Sequence, residues 1–121
     1  MLRIYLCDPK YFKQMKLLTR TEELILWAIM RLEENAYGVP IREKIQEITG
    51  EKWQLGSIYM PLDRLVKNGC LTSRLSESTP ERGGRRKRIY RLTTAGFQAL
   101  EKARELQAKM WSKRPVRMKG A

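Results

Sequence analysis

The sequence predicts a mainly α-helical domain carrying one β-hairpin (α+β), in the order helix, helix, helix, hairpin, helix. Three observations predict it. Apolar residues recur at helical spacing in three successive segments between residues 19 and 69, each bounded by capping, proline or glycine signals. Polar and apolar residues then alternate over residues 87–93 in the manner of a strand. Finally, Ala99, Ala103, Leu106 and Met110 stand at 4-3-4 spacing, the step of a helix–helix seam. With 121 residues, 42% of them hydrophobic and 31% charged, the chain is one globular domain and not a disordered one.

Residues 1–18 form an N-terminal extension. The first helix opens at Thr19-Arg20-Thr21-Glu22, a capping box in which Thr19 caps and Glu22 reaches back. Ile25, Ala28, Ile29 and Leu32 form its apolar face, and Leu26, Trp27 and Met30 form a second strip. A helix apolar on two sides is sandwiched, so the second strip is expected to meet a partner subunit. Glu33-Glu34-Asn35 closes it toward solvent. After the turn at residues 36–38, Pro40 suits the first turn of a second helix, with Ile41, Ile45 and Ile48 as the buried stripe and Gly50 as its end. The third helix begins near Leu55 or Gly56 and stops at Asn68-Gly69. Its apolar face is Ile58, Leu62, Leu65 and Val66, and Pro61 belongs early in it, where a lost hydrogen bond costs least.

Strand candidates at residues 71–76 and 88–92 are joined by a turn-rich segment into a long hairpin. Thr93 or Thr94 caps the last helix, which runs over residues 94–113 and is stopped by Pro115. Residues 114–121 make a basic tail. Three helices followed by a two-stranded hairpin, over residues 19–93, make a winged helix-turn-helix. The last helix carries the helix–helix seam.

Charge points to a partner. Residues 1–81 hold 12 Lys and Arg against 11 Asp and Glu, whereas residues 82–121 hold 13 against 2. The net charge of +12 is therefore concentrated in the last third, which implies a polyanion. Its densest part is Glu81–Leu92 in one-letter form E-R-G-G-R-R-K-R-I-Y-R-L, with Gly83-Gly84 as a tight turn and Arg82, Arg85, Arg86, Lys87 and Arg88 around it. In isolation such a run is commonly a solvated loop. Held between two strands it is a basic finger suited to phosphates or to a narrow minor groove.

Several function classes are excluded or disfavoured. The chain has no histidine, hence no Ser/His or Cys/His nucleophile pair and none of the commonest metal ligands. Cys7 and Cys70 make no CxxC, and Cys70 reads as a buried apolar filler. No phosphate loop is present, so neither enzyme activity nor a cofactor or metal is expected. The longest apolar run, residues 24–30, is far short of a membrane span, and Asp8-Pro9 comes too early for a signal peptide. The expected location is the cytoplasm. A membrane-surface role is disfavoured because the basic residues sit at a turn and not along an amphipathic helix.

In a helix-turn-helix the later helix enters the major groove, N-terminal residues leading. With 100° per residue, Gly56, Ser57, Met60, Asp63, Arg64 and Lys67 point away from the buried stripe of the third helix, with Tyr59 at the flank. Ser57 suits a base edge or phosphate, Arg64 a guanine or phosphate, and the Tyr59 hydroxyl a phosphate. Asp63 would be repelled by phosphates and is better paired with Lys67. The plain alternative for all of these is a solvated helix face.

The quoted basic stretch, extended as T-T-A-G to residue 96, together with L-T-R-T-E-E-L-I-L-W-A-I at 18–29, A-Y-G-V-P-I at 36–41 and G-S-I-Y-M-P-L-D-R-L-V-K-N-G at 56–69, resembles the PadR family of bacterial transcriptional regulators. The resemblance covers about residues 18 to 106. It implies a winged-helix homodimer that represses transcription from an inverted-repeat operator on double-stranded DNA and works at the bacterial nucleoid, and it implies that the last helix helps make the dimer. By position, Ser57, Tyr59, Arg85 and Lys87 match the family's DNA-contacting places. The short C-terminal part resembles the small subfamily, in which some relatives hold flat aromatic ligands against tryptophan. Trp111 or Trp27 could serve so here, with a tryptophan in a dimer core as the plainer reading, and nothing in the sequence calls for an effector. The remaining alternative is a winged-helix interaction or assembly module that binds an acidic protein.

Overall fold

The computed structural model describes residues 17–77 and 86–112. The extension through residue 16, the wing tip with Arg82 and Arg85, and the basic tail lie outside the described residues. The order of elements is the one the sequence predicts: α1 (Arg20–Leu32), a 3-10 turn (Glu33–Asn35), α2 (Gly38–Thr49), α3 (Gly56–Lys67), β1 (Leu71–Leu75), β2 (Arg88–Leu92) and α4 (Thr94–Ser112).

The capping box starts α1 reciprocally. The Glu22 N–H donates to Thr19 Oγ1 at 3.1 Å, and the Thr19 N–H donates to Glu22 Oε1 at 2.9 Å. Ile25, Leu26, Ala28 and Ile29 of α1 are buried with Ile41 and Ile45 of α2, Ile58, Leu62 and Leu65 of α3, and Leu71 and Tyr90 of the hairpin. Both apolar strips of α1 are thus used inside the chain, because α1 packs on α2, α3, β2 and α4 alike. Leu26 has no exposed surface, which corrects its expected place in a subunit interface. Trp27 packs partly buried against the same core, with the Arg31 guanidinium 5.5 Å from its ring centre. Met30 is half-buried.

Gly50 ends α2 in the left-handed conformation at φ 75°, its N–H donating to the Gln46 carbonyl at 2.8 Å. Ile48 departs from expectation. It shares the helical face of Ile41 and Ile45, yet it is 56% exposed. The last turn of α2 therefore runs beyond what the neighbouring elements cover. The third helix continues unbroken through Pro61, which is itself buried.

β1 and β2 pair antiparallel, with Leu71 opposite Leu92, Ser73 opposite Tyr90 and Leu75 opposite Arg88. Alternation puts those six residues on the inner face and Thr72, Arg74, Ile89 and Arg91 on the outer one. The Tyr90 N–H also donates to the Ala36 carbonyl at 2.8 Å, which ties the outer edge of β2 to the α1–α2 connection. Thr93 caps α4, its Oγ1 accepting from the Gly96 N–H at 3.0 Å. Ala95 and Ala99 of α4 are buried, and Ala99 joins the core.

Candidate nucleic-acid interface

Two elements carry the side chains singled out for a polyanion. On α3 the burial of Ile58, Leu62 and Leu65 fixes the helix rotation, so Gly56, Ser57, Met60, Asp63, Arg64 and Lys67 are all exposed. Tyr59 sits at the flank as expected, and its hydroxyl lies over Gly38 at the start of α2. A Cβ added at Gly38 would come within 2.6 Å of that oxygen. The glycine thus admits the tyrosine ring between α3 and α2.

Arg64 is not simply solvated. Its Nε lies 3.6 Å from Glu22 Oε2, the second oxygen of the capping-box carboxylate, while about half its side chain stays exposed. One carboxylate therefore serves the α1 cap with one oxygen and the α3 guanidinium with the other. The terminal nitrogens of Arg64 are left to other partners. Asp63 and Lys67 do not pair; among the described residues the α3 ion pair is the one from Arg64 to Glu22.

The base of the wing is held by short bonds. The Ser76 N–H donates to the Lys87 carbonyl at 2.7 Å, and the Lys87 N–H donates to Ser76 Oγ at 2.9 Å. Arg88 donates from Nη1 to Ser73 Oγ across the strands at 3.1 Å. Lys87 is half-buried, with its Nζ 3.9 Å from the centre of the Tyr37 ring. That cation–π contact joins the wing to the N-cap residue of α2. Arg86 is exposed beside it. Arg82 and Arg85 lie outside the described residues.

Two groups near this surface have perturbed proton affinities. Burial pushes the Tyr90 hydroxyl above the usual phenol value, with Asp63 and Tyr59 adding to the shift and Arg88 opposing it. Burial likewise raises the Cys70 thiol, and the Glu22 carboxylate adds to it. Cys70 is buried, as the sequence suggested.

The residues proposed for dimerisation divide into two sets. Leu26 and Ala99 face the core, whereas Ala103 is half-buried and Leu106, Met110 and Trp111 are exposed. Leu17 and Leu18 join Ala103, Leu106 and Gln107 around a shallow groove of about 210 Å³, with Arg20 and Glu23 at its rim. No described helix is long and apolar enough to cross a membrane. Among the described residues no group of three or more acids and cysteines could hold a metal ion.

Sequence reasoning missed Tyr37, Gly38 and Glu22 as supports of this surface. Tyr37 and Gly38 read as turn residues and Glu22 as a cap. Each acquires its second role only when α2, α3 and the wing are folded together.

Solved structures with this fold are similar to the chain. A PadR family transcription regulator from Clostridium difficile is 26% identical with a TM-score of 0.65, over 78% of this chain and 93% of that one. A PadR-like transcriptional regulator from Bacillus cereus is also 26% identical with a TM-score of 0.61, over 75% of this chain and 84% of that one. The ORC1 protein of Aeropyrum pernix, solved in complex with DNA, shares the fold at 24% identity and a TM-score of 0.58, over 77% of this chain and 26% of that one. No match is found among curated protein sequences. The family model for PadR-like transcriptional regulators matches residues 25–102, most of the chain and all of its described elements from α1 into α4. Members of that family are transcription regulators and not enzymes. The chain belongs to the PadR-like family of transcriptional regulators.

Proposed function

We propose that this regulator binds DNA sequence-specifically, as a homodimeric repressor on an inverted-repeat operator. The N-terminal half of α3 enters the major groove, with Ser57 and Met60 against base edges and the Tyr59 hydroxyl toward a phosphate. Arg64 is steered through its Nε by Glu22 and offers its terminal nitrogens to a guanine or a phosphate. Arg82, Arg85, Arg86 and Arg88 of the wing grip the backbone or the adjacent minor groove. Two copies meet through the distal half of α4, where Leu106, Met110 and Trp111 are exposed on one turn after another.

One observation carries this reading. The outward face of α3 takes no part in the core, and it stands in a fold whose hairpin opens the strongly basic last third of the chain. An assembly module facing an acidic protein would need no such division between a reading face of mixed side chains and a basic grip.

Selection of bound duplexes from random DNA, followed by titration of the selected sequence, tests it. The expected product is a palindrome with half-sites about one or two helical turns apart. If the dimer makes roughly 6–10 phosphate contacts, affinity falls about 10³–10⁵-fold between 50 and 200 mM salt. Unselective or salt-insensitive binding would overturn the proposal and favour a protein partner.

A further inference from the structure

We propose that the contact between the Gly69-Cys70 turn and the Thr93–Gly96 segment sets the spacing between half-sites that this regulator accepts. The inference rests on the homodimer and operator reading above. It concerns how the element that joins the two copies is fixed to the helix that reads DNA.

The end of α3 and the start of α4 are joined backbone to backbone. The Cys70 N–H donates to the Leu65 carbonyl at 2.9 Å, closing α3, while the Cys70 carbonyl accepts from the Thr93 N–H at 3.1 Å. Thr93 Oγ1 donates to the Gly69 carbonyl at 2.6 Å and accepts from the Gly96 N–H at 3.0 Å. The Thr93 hydroxyl thus spans the two elements with one oxygen. Gly96 then lies directly on the Cys70 carbonyl: an added Cβ would overlap that oxygen and stand 3.0 Å from both the Cys70 carbonyl carbon and Leu92 Cδ1. Cys70, Leu71, Ala95 and Gly96 are all buried. At this junction the turn that closes α3 meets the start of α4 backbone to backbone, and the packing of α4 on α1 holds the rest of the helix.

The angle between α3 and α4 acts through a lever. Gly96 lies 14 residues before Met110 on α4, about 21 Å at the rise of an α-helix. Relieving a Cβ overlap of about 1 Å, against the next core contact at Ala99 about 4.5 Å away, tilts the helix by roughly 13°. Met110 lies about 16 Å beyond that pivot and moves by about 3.6 Å, or about 7 Å between two copies across a two-fold axis. One base-pair step is about 3.4 Å along the duplex. A perturbation too small to alter either recognition helix is therefore large enough to change which operator spacing both helices reach at once. Thr93 and Gly96 act here as positioning residues and touch no DNA.

The experiment uses the full chain, with duplexes whose half-site separation is stepped one base pair at a time, and sedimentation to read the oligomer. The parent should be a dimer with one preferred separation and about tenfold weaker binding one step away. Thr93→Val removes only the hydroxyl bridge and should flatten the profile to within about threefold over adjacent separations, while single half-site binding stays at the parent level. Thr93→Ser keeps the bridge and should restore the profile. Gly96→Ala should move the optimum by about two base pairs. If it does not fold, the Thr93 pair decides alone. Variants that remain dimeric, bind a half-site like the parent and keep the parent's optimum and sharpness overturn the inference. A parent that is monomeric or indifferent to palindromes overturns the dimer reading itself, and that result is read before any variant is made.

Discussion

Two of the described cations at the wing base, Arg86 and Lys87, should not behave alike, and salt dependence separates them. Arg86 is exposed, whereas Lys87 rests over the Tyr37 ring with its Nζ 3.9 Å from the ring centre. If each Arg86 of a dimer neutralises one phosphate, Arg86→Ala removes two contacts and lowers the slope of log K against log salt by about 1.8. Over the fourfold range from 50 to 200 mM, the affinity lost by the variant is then about 12-fold less than that lost by the parent. Lys87→Ala removes a strut instead. A half-desolvated cation–π contact contributes about 0.5–2 kcal/mol, and its loss loosens the wing while leaving the slope nearly as it was. Tyr37→Leu should reproduce that loss while keeping every charge, and the double variant should be little worse than either single one. Anisotropy titrations of a labelled operator at five or six salt concentrations read both quantities. The reasoning fails if Lys87→Ala flattens the slope as much as Arg86→Ala while Tyr37→Leu changes nothing. Lys87 would then be a phosphate contact whose position over the ring is incidental.

Three further outcomes are expected. Leu62→Ala, in the fully buried face of α3, should cost about 2–5 kcal/mol in chemical denaturation, whereas Ile48→Ala, on the uncovered end of α2, should stay within about 0.5 kcal/mol. Equal costs at the two positions would mean that Ile48 is covered after all. Thr19→Ala breaks one half of the capping box and should cost about 1 kcal/mol, lowering the melting temperature by roughly 3–6 °C; an unchanged melt would remove the box from the account of α1. Stability should also fall in alkali. Cys70 and Tyr90 are neutral when protonated, and the fold holds their protons above the usual values of 9.0 and 10.0. The folded state therefore binds more protons than the unfolded one above those values, so both contributions are intact below pH 9 and decline as pH rises beyond it. Denaturation midpoints between pH 8 and 11 should show the decline, and Cys70→Ala should delay its onset toward pH 10. A flat profile would contradict the burial of both groups.

Much of the fold was legible because its signals are local. Thr19 and Glu22 sit three residues apart, Gly50 follows a helical stripe, and the outward face of α3 follows from the spacing of Ile58, Leu62 and Leu65. In all three cases the information lies within a few residues. Ile48 shows the limit of such reasoning. Periodicity says which face a residue occupies, but not how far along the helix that face is covered. Leu26 shows the converse: an apolar strip looked unemployed until β2 and α4 folded onto α1 from more than 50 residues away in sequence.

The candidate site was legible as chemistry and not as assignment. The segregated charge identified the class of partner, yet charge counting treats every Lys and Arg alike. Folding divides them. Lys87 is recruited by Tyr37 and Arg64 by Glu22, partners that stand 50 and 42 residues away in the chain. A cation with an internal partner loses less counterion on meeting DNA and brings less affinity, but it is pre-positioned and adds little entropy cost when it binds. The basic residues of this regulator therefore divide into cations with an internal partner and exposed ones. Under the proposed function, those held by the fold fix where the wing and α3 stand, while exposed ones such as Arg86 are expected to carry the salt-dependent grip. This division makes a distinction that total charge cannot: neutralising Arg86 should weaken binding to every sequence alike, whereas freeing Arg64 with Glu22→Gln should change which sequences are preferred. Only the second change lets a reading side chain choose its direction.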